Sequence, residues 1–269
     1  MDSKEQNPVE LVKEEENKKE FYLVVDKLRL HGKLDLPTAH PEKLPLVILI
    51  HGFTGHMEER HITAVAEAIL KAGCACLRFE MYGHGQSDGR FEDHTILKWL
   101  SQALAIVDYA RSLDFTTDLY LCGHSQGGLT VMLTAGLKHD LIKGLIPLSP
   151  ATSILDGARK GEVLGFCFDP DHIPDEVCHP EWYDGRSLTG NYLRAAQFLH
   201  VEEAIHRFDG PVLLIHGDQD ESVPLSCSTE AAAMYKNARL VVIPGDDHCY
   251  DLHLDMVTEA VTSFLKSFR

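Results

Sequence analysis

The chain has no apolar run long enough to cross a bilayer as a helix. Its first twenty residues, MDSKEQNPVELVKEEENKKE, lack the apolar stretch that a secretory leader needs. Both absences lead to the expectation of a cytoplasmic protein that does not enter a membrane. Positive charge is also scarce: 25 Lys and Arg stand against 41 Asp and Glu, a formal net charge of -16. That balance argues against nucleic acid or an anionic membrane surface as partner. Cysteines number seven, an odd count, and no two form a C-x-x-C pair. Cys74 and Cys76 alternate in a strand-like run and so share a face, which is poor geometry for a bridge. Reduced, mostly buried thiols are expected.

What is present is ordinary for a soluble domain: 44% hydrophobic and 25% charged residues over 269 positions, enough for one large core. Residues 1–20 are charged and lack aromatics, and we expect a disordered acidic tail there. From Phe21 the stretch FYLVVDKLRLHGKLDLP alternates as two antiparallel strands would. A repeating unit follows. LPLVILI reads as a strand buried on both faces, ERHITAVAEAILKAG as a helix, CACLRFE as a strand and HTILKWLSQALAIVDYARSL as a long helix. LYLCG, GGLTVMLTAGLKHD and IKGLIPLSP continue the alternation. It breaks over about residues 151–205, rich in Gly, Pro, Asp and aromatics, then resumes to the C-terminus. The pattern predicts an α/β fold over residues 21–269: a mostly parallel central sheet with helices on both faces and one small cap insertion.

In such a sheet, chemistry belongs just beyond the carboxyl ends of the strands. There the chain places HGFTG, MYGHGQSDG, GHSQGG, DQDESVP and DDHCYD. Gly123-His124-Ser125-Gln126-Gly127 is a G-x-S-x-G. Chance supplies that pattern in roughly a tenth of chains this long. The strand before it and the helix after it are what mark a sharp turn that lifts a serine hydroxyl above the sheet.

A neutral serine needs a base within hydrogen-bond reach, and the base needs an orienting acid. His124 is a poor base, because neighbouring residues at such a turn project in different directions; packing beside the site suits it better. His248, after the last strand, completes the order Ser, Asp, His. For the acid, Asp218 and Asp220 both qualify by position, and Asp220, at the far end of its loop, is favoured. Oxyanion donors are expected from the backbone N–H groups of Gln126 and Phe53. His51, Arg78, Tyr82, His84 and Asp88 read as braces of the site. Asp246, Asp247, His248 and His253 carry donor atoms of the metal-binding type, but their spacing matches no ligand pattern. No metal and no cofactor are expected.

HGFTGHMEERH, MYGHGQSDG, GHSQGG, HGDQD and GDDHCYD resemble the cinnamoyl (feruloyl) esterases of the α/β-hydrolase fold. The resemblance runs from about residue 21 to the end, and FDPDHIPDE in the insertion is its most specific piece. It implies a serine carboxylesterase that hydrolyses esters of hydroxycinnamic acids such as ferulate, p-coumarate and caffeate through an acyl-enzyme. It implies a triad of Ser125, Asp220 and His248, an oxyanion hole at Phe53 and Gln126, and a cap contacting substrate through Asp156 and Tyr192. Trp182 and Tyr183 are further cap candidates; EVCHPEWYDG is longer than the family's usual version, which leaves open which of the two lines the pocket. A flat phenolic acyl group needs apolar and aromatic walls with one or two polar groups, and the insertion is rich in both.

The enzymatic alternative is a monoacylglycerol-lipase-like or general short-chain esterase, which would call for a greasier cap. A non-catalytic binding module on the same scaffold would normally have lost a triad member. The partner expected is a small aromatic ester, and a homodimer would be compatible.

Overall fold

The computed structural model describes residues 8–178 and 187–268. A nine-stranded sheet runs through the molecule. It is built from β1 (Val9–Glu15), β2 (Lys18–Val25), β3 (Leu28–Asp35), β4 (Leu44–Ile50), β5 (Ala75–Phe79), β6 (Thr116–His124) and β7 (Ile142–Leu148). After an insertion containing the short strands β8 (Glu162–Val163), β9 (Phe166–Cys167), β10 (Glu176–Cys178) and β11 (Ser187–Thr189), the sheet is completed by β12 (Val212–Gly217) and β13 (Ala238–Ile243). The order is β1-β2-β3-β5-β4-β6-β7-β12-β13, parallel from β5 onward and antiparallel before it.

The central strands are apolar on both faces because both are covered. Along β4, Leu46, Ile48 and Ile50 enter one core, while Val47 and Leu49 enter the other. Strands β5, β6 and β12 divide in the same way. On one face pack α2 (Ile96–Ser112) and α3 (Gln126–Leu137); on the other pack α1 (Arg60–Lys71) and α8 (Leu254–Lys266). Helix α7 (Ser226–Met234) joins the first face. Helix α3 touches the core all round, so its sequence shows no polar stripe. Cys74 and Cys76 lie buried on the same face, and neither is disulfide-bonded.

Between β7 and β12 the chain forms α4 (Ser153–Lys160), a β8–β9 hairpin, a β10–β11 hairpin, α5 (Asn191–Gln197) and α6 (Val201–Arg207). This insertion packs above the carboxyl edge of the sheet. Among the described residues, no helix is long and apolar enough to cross a membrane.

The N-terminus departs from the expectation of a disordered tail through residue 20. Val9–Glu15 pairs antiparallel with β2, and the chain reverses at residues 16–17. Every residue of β1 is exposed, so burial cannot be its cause. Backbone pairing to an existing strand edge, with the Lys19–Glu14 ion pair at 2.6 Å across the hairpin, orders a segment whose composition alone reads as disordered.

These contrasts set two expected outcomes. Phe79 is fully buried, edge-on to Phe21 with centroids 5.7 Å apart. Phe79→Ala should cost about 3–5 kcal/mol in denaturant unfolding. Removal of residues 1–16 should cost no more than about 1 kcal/mol, because β1 buries none of its own side chains. Equal losses in the two variants would contradict this division.

Candidate active site

Strand β6 ends at His124 and α3 begins at Gln126, which leaves one residue for the turn. That residue, Ser125, has φ 56° and ψ -120°. A β-carbon on Gly127 would lie 2.3 Å from the His51 carbonyl oxygen, and one on Gly123 would lie 2.4 Å from that of Gly127. Only glycines allow the helix to start this close to the strands. The strained turn is held by hydrogen bonds: Ser125 N–H donates to Leu148 O at 2.8 Å, and Ser125 O accepts from Ala151 N–H and Leu129 N–H, each at 3.0 Å.

His248 sits in the loop between β13 and α8. Its Nδ1 is 2.6 Å from Asp220 Oδ2, so Nδ1–H donates and Nε2 keeps its lone pair. Asp220 Oδ1 accepts from Ser222 N–H at 2.9 Å and Val223 N–H at 2.8 Å. His216 Nε2, 3.2 Å from Asp220 Oδ2 and 3.0 Å from Val223 O, carries its proton between them. Its Nδ1 accepts from Ser228 at 2.7 Å. Burial alone would raise the Asp220 carboxyl. Hydrogen bonds from His216 and His248, the charge His248 can carry and the Val223 N–H outweigh that and hold it well below the usual carboxylate range. Asp218 is occupied elsewhere, accepting from Gly245 N–H at 2.7 Å.

The loop bearing His248 is itself built on carboxylates. Buried Asp246 accepts from the N–H groups of Asp247, Leu252 and His253 at 3.1, 3.0 and 2.8 Å. Asp247 accepts from Cys249 N–H at 3.0 Å and Asp251 N–H at 3.2 Å. The acidic run is therefore a loop scaffold, and its oxygens are spent on backbone donors. Tyr250, fully buried at φ 59°, anchors the far side by donating to Ile215 O at 3.1 Å.

His124 uses its ring away from the serine. Its Nε2–H donates to His248 O at 2.8 Å, and its Nδ1 lies 3.1 Å from His61 Nε2. Burial, then the charges of His248 and His61, push its pKa well below the ordinary imidazole value.

The loop expected to supply an oxyanion donor follows β4. The Phe53 ring is wedged against Phe91, His94 and Tyr192, with centroids 5.5, 5.1 and 5.6 Å away, and His84 Nε2 reaches its carbonyl. His51 donates from Nδ1 to Gly52 O at 2.7 Å and accepts Met81 N–H at Nε2, 3.1 Å away. Gln126, as the first residue of α3, has an N–H outside the intrahelical ladder. Arg78, within β5, grips Asp35 at 2.7 Å and Met57 O at 3.0 Å; Asp88 accepts Arg29 N–H at 2.9 Å. His51, Arg78, His84 and Asp88 spend these polar groups on neighbouring backbone and side chains around the site.

A cavity of about 240 Å³ opens beside Ser125 and His248, walled by Phe53, Ile154, Leu164 and Val223, with Glu59 and Cys249 at one end. Among the substrate candidates, Tyr192 is fully buried and donates its O–H to Gln126 Oε1 at 2.7 Å, so it ties the insertion to the start of α3. Asp156 faces a separate cleft between α4, α6 and α7 and pairs with Arg159 at 3.1 Å and Lys160 at 3.5 Å. Its i, i+3 and i, i+4 cations explain the placement, since both lie on its own helix. Trp182 and Tyr183 lie outside the described residues. The structure adds His216, Leu164 and Ile154 to the site. His216 was legible as a histidine four residues before Asp220, but a histidine inside a strand drew no attention.

A profile of the serine aminopeptidase S33 family matches residues 41–165, and one of TAP-like proteins matches residues 193–268. A solved structure described as ferulic acid bound to Est1E from Butyrivibrio proteoclasticus is 56% identical in sequence with a TM-score of 0.89, covering 91% of this chain and 98% of that one. The chain belongs to the cinnamoyl (feruloyl) esterases of the α/β-hydrolase fold. More distantly, it is 28% identical over 211 residues to the human mitochondrial palmitoyl-protein thioesterase ABHD10, across 74% of this chain and 65% of that protein. It thus spans just under two thirds of that relative's length. A putative non-heme chloroperoxidase of Synechocystis is 39% identical over 82% of this chain and 91% of its own.

Two outcomes follow from the geometry. Asp246→Ala strips three part-buried backbone N–H groups of their buried acceptor, and should cost about 2–4 kcal/mol of stability and at least ten-fold in ester hydrolysis. Acid should weaken the fold well above the carboxylate range. Burial, together with His248 and Arg60, pushes His61 down to about 4, and burial with His84 pushes His94 down to about 3. An unfolded imidazole titrates near 6.5, so between there and about 4 the unfolded chain binds a proton that native His61 refuses. Stability is complete above about 6.5 and is lost as pH falls toward 4, with His61 carrying about 3 kcal/mol of it. The urea midpoint should fall over that range and flatten in His61→Asn; a midpoint constant from pH 7 to 4 would refute this.

Proposed function

We propose that this protein is a serine carboxylesterase that hydrolyses esters of hydroxycinnamic acids. The observation that carries the proposal is a cavity holding a strained serine and an aspartate-bound histidine, in a chain 56% identical to one that binds ferulic acid.

In the proposed mechanism, the Ser125 hydroxyl attacks the ester carbonyl while His248 Nε2 takes its proton. Asp220 holds the imidazole in the required tautomer and stabilises the imidazolium that forms. The N–H groups of Phe53 and Gln126 receive the developing oxyanion, worth about 3 kcal/mol each in the transition state. His248 then protonates the leaving alkoxide, and the alcohol departs. Water, deprotonated by the same nitrogen, attacks the acyl-enzyme, and Ser125 recovers its proton as the acid leaves.

A cavity of about 240 Å³ supports a compact acyl group over a long saturated chain. Recognition of the phenolic end is assigned to the insertion. Tyr192, Trp182 and Tyr183 are the aromatic candidates there, and Asp156 could join only by leaving its ion pairs with Arg159 and Lys160.

Comparison of kcat/KM for methyl ferulate, a medium-chain glycerol monoester and a palmitoyl thioester tests the substrate class. Methyl ferulate should lead by at least ten-fold, and a lead by either lipid substrate would overturn the assignment. Ser125→Ala should lower turnover of methyl ferulate by about 10³-fold or more, and unchanged hydrolysis would end the catalytic reading.

A further inference from the structure

One group of donor atoms next to the site takes no part in the mechanism above. His61 on α1, His124 at the end of β6 and Cys249 after β13 each offer one ligand atom, and all three atoms lie within 4.8 Å of one another. Two imidazoles and a thiol are a donor set for zinc and its neighbours among the divalent transition metals. At Zn–N of about 2.1 Å and Zn–S of about 2.3 Å, tetrahedral ligands stand roughly 3.3–3.7 Å apart. The two imidazole nitrogens are already 3.1 Å apart. The thiol needs to close by no more than about 1 Å from its present limit of 4.8 Å.

The surroundings favour a cation. His124 Nε2–H donates to His248 O at 2.8 Å, which fixes that ring's tautomer and leaves Nδ1 with its lone pair. Histidine ligands characteristically gain their orientation from such a carbonyl behind them. Glu59 Oε2 stands 3.9 Å from His61 Nε2. Glu59, His124 and Cys249 all border the cavity beside Ser125, so an ion held there would lie at the edge of the site. His61 and His124 come from α1 and β6, and Cys249 from a loop whose backbone is held by Asp246 and Asp247, so the three are close together before any ion arrives.

We propose that His61, His124 and Cys249 form an inhibitory site for a zinc-class divalent cation. On binding, His61 moves its single ring proton from Nε2 to Nδ1, which frees Nε2 for the ion, and the thiol proton leaves to solvent. The bound ion adjoins in sequence both Ser125 and His248, and places two positive charges near the histidine that must become positive in the transition state. The inhibitory part rests on the esterase reading; the binding part does not.

The test uses the full chain, freed of any affinity tag. Zinc is titrated by calorimetry and cobalt(II) by its electronic spectrum. One ion per chain is expected, with a thiolate-to-cobalt charge-transfer band. Cys249→Ser and His61→Asn should each weaken zinc at least ten-fold and remove or shift the band. Ser125→Ala, which lacks turnover, should bind zinc like the wild type, so a failed esterase assignment would leave this result intact. Zinc should also lower kcat on a chromogenic acetate ester at least ten-fold in the wild type, and far less in Cys249→Ser. Absence of a one-to-one site in the wild type, or affinity unchanged in both variants, overturns the site. Tight, variant-sensitive binding that leaves kcat unaltered overturns its inhibitory role.

Discussion

The site depends first on how closely α3 approaches the ends of β4 and β6. With side chains at Gly123 or Gly127 the helix would have to move out by more than an atomic radius, since the nearest carbonyl oxygens lie at 2.4 and 2.3 Å from where a β-carbon would be. At contact distance, the chain has one residue in which to turn, and that residue must take the left-handed half of backbone space. Ser125 bears this cost at φ 56°, held by backbone hydrogen bonds on both its N–H and its carbonyl. The same turn directs His124 sideways under the His248 loop and brings the Gln126 N–H to the helix start. Serine, oxyanion donor and loop support are thus consequences of one steric condition.

The second half of the site is electrostatic. Asp220 receives two backbone N–H groups and two imidazoles, so its negative charge is stabilised although its side chain is fully buried. That charge fixes His248 at Nδ1 and leaves Nε2 to face the cavity. Asp246 and Asp247 satisfy the backbone donors of the loop that carries His248. Much of the acidity that looks like surface charge in the composition is structural at this point. Several buried histidines are kept neutral by desolvation and by neighbouring positive or ionisable groups, against the pull of these carboxylates, and they tie stability to mild acid.

Much of this was legible in the sequence because short motifs sit where strands end. GHSQGG, HGDQD and GDDHCYD mark three strand ends in the chain order that the topology requires, and each carries its own turn chemistry. Residues 9–15 were misread because composition reports burial, and β1 is ordered by backbone pairing with none of its side chains buried. His216 escaped because a polar residue inside an apolar strand has no periodic signal. Asp156, named by resemblance, pairs here with its helix neighbours Arg159 and Lys160, exposed contacts that a ligand could exchange at little cost.

One hydrogen bond between the insertion and the chemistry reaches both sides of the site. Tyr192 on α5 donates to the Gln126 side chain, while its ring packs on Phe53. Phe53 and Gln126 are the two residues whose N–H groups are proposed to hold the oxyanion, and one tyrosine of the insertion touches both. A cap that only roofed a pocket could vary without affecting reaction rates. This one is joined by packing and hydrogen bonding to the loop after β4 and to the helix start at the same residue. Any shift of α5 would therefore reach both Phe53 and Gln126, so in the proposed mechanism the insertion and the oxyanion donors move together through a single buried side chain.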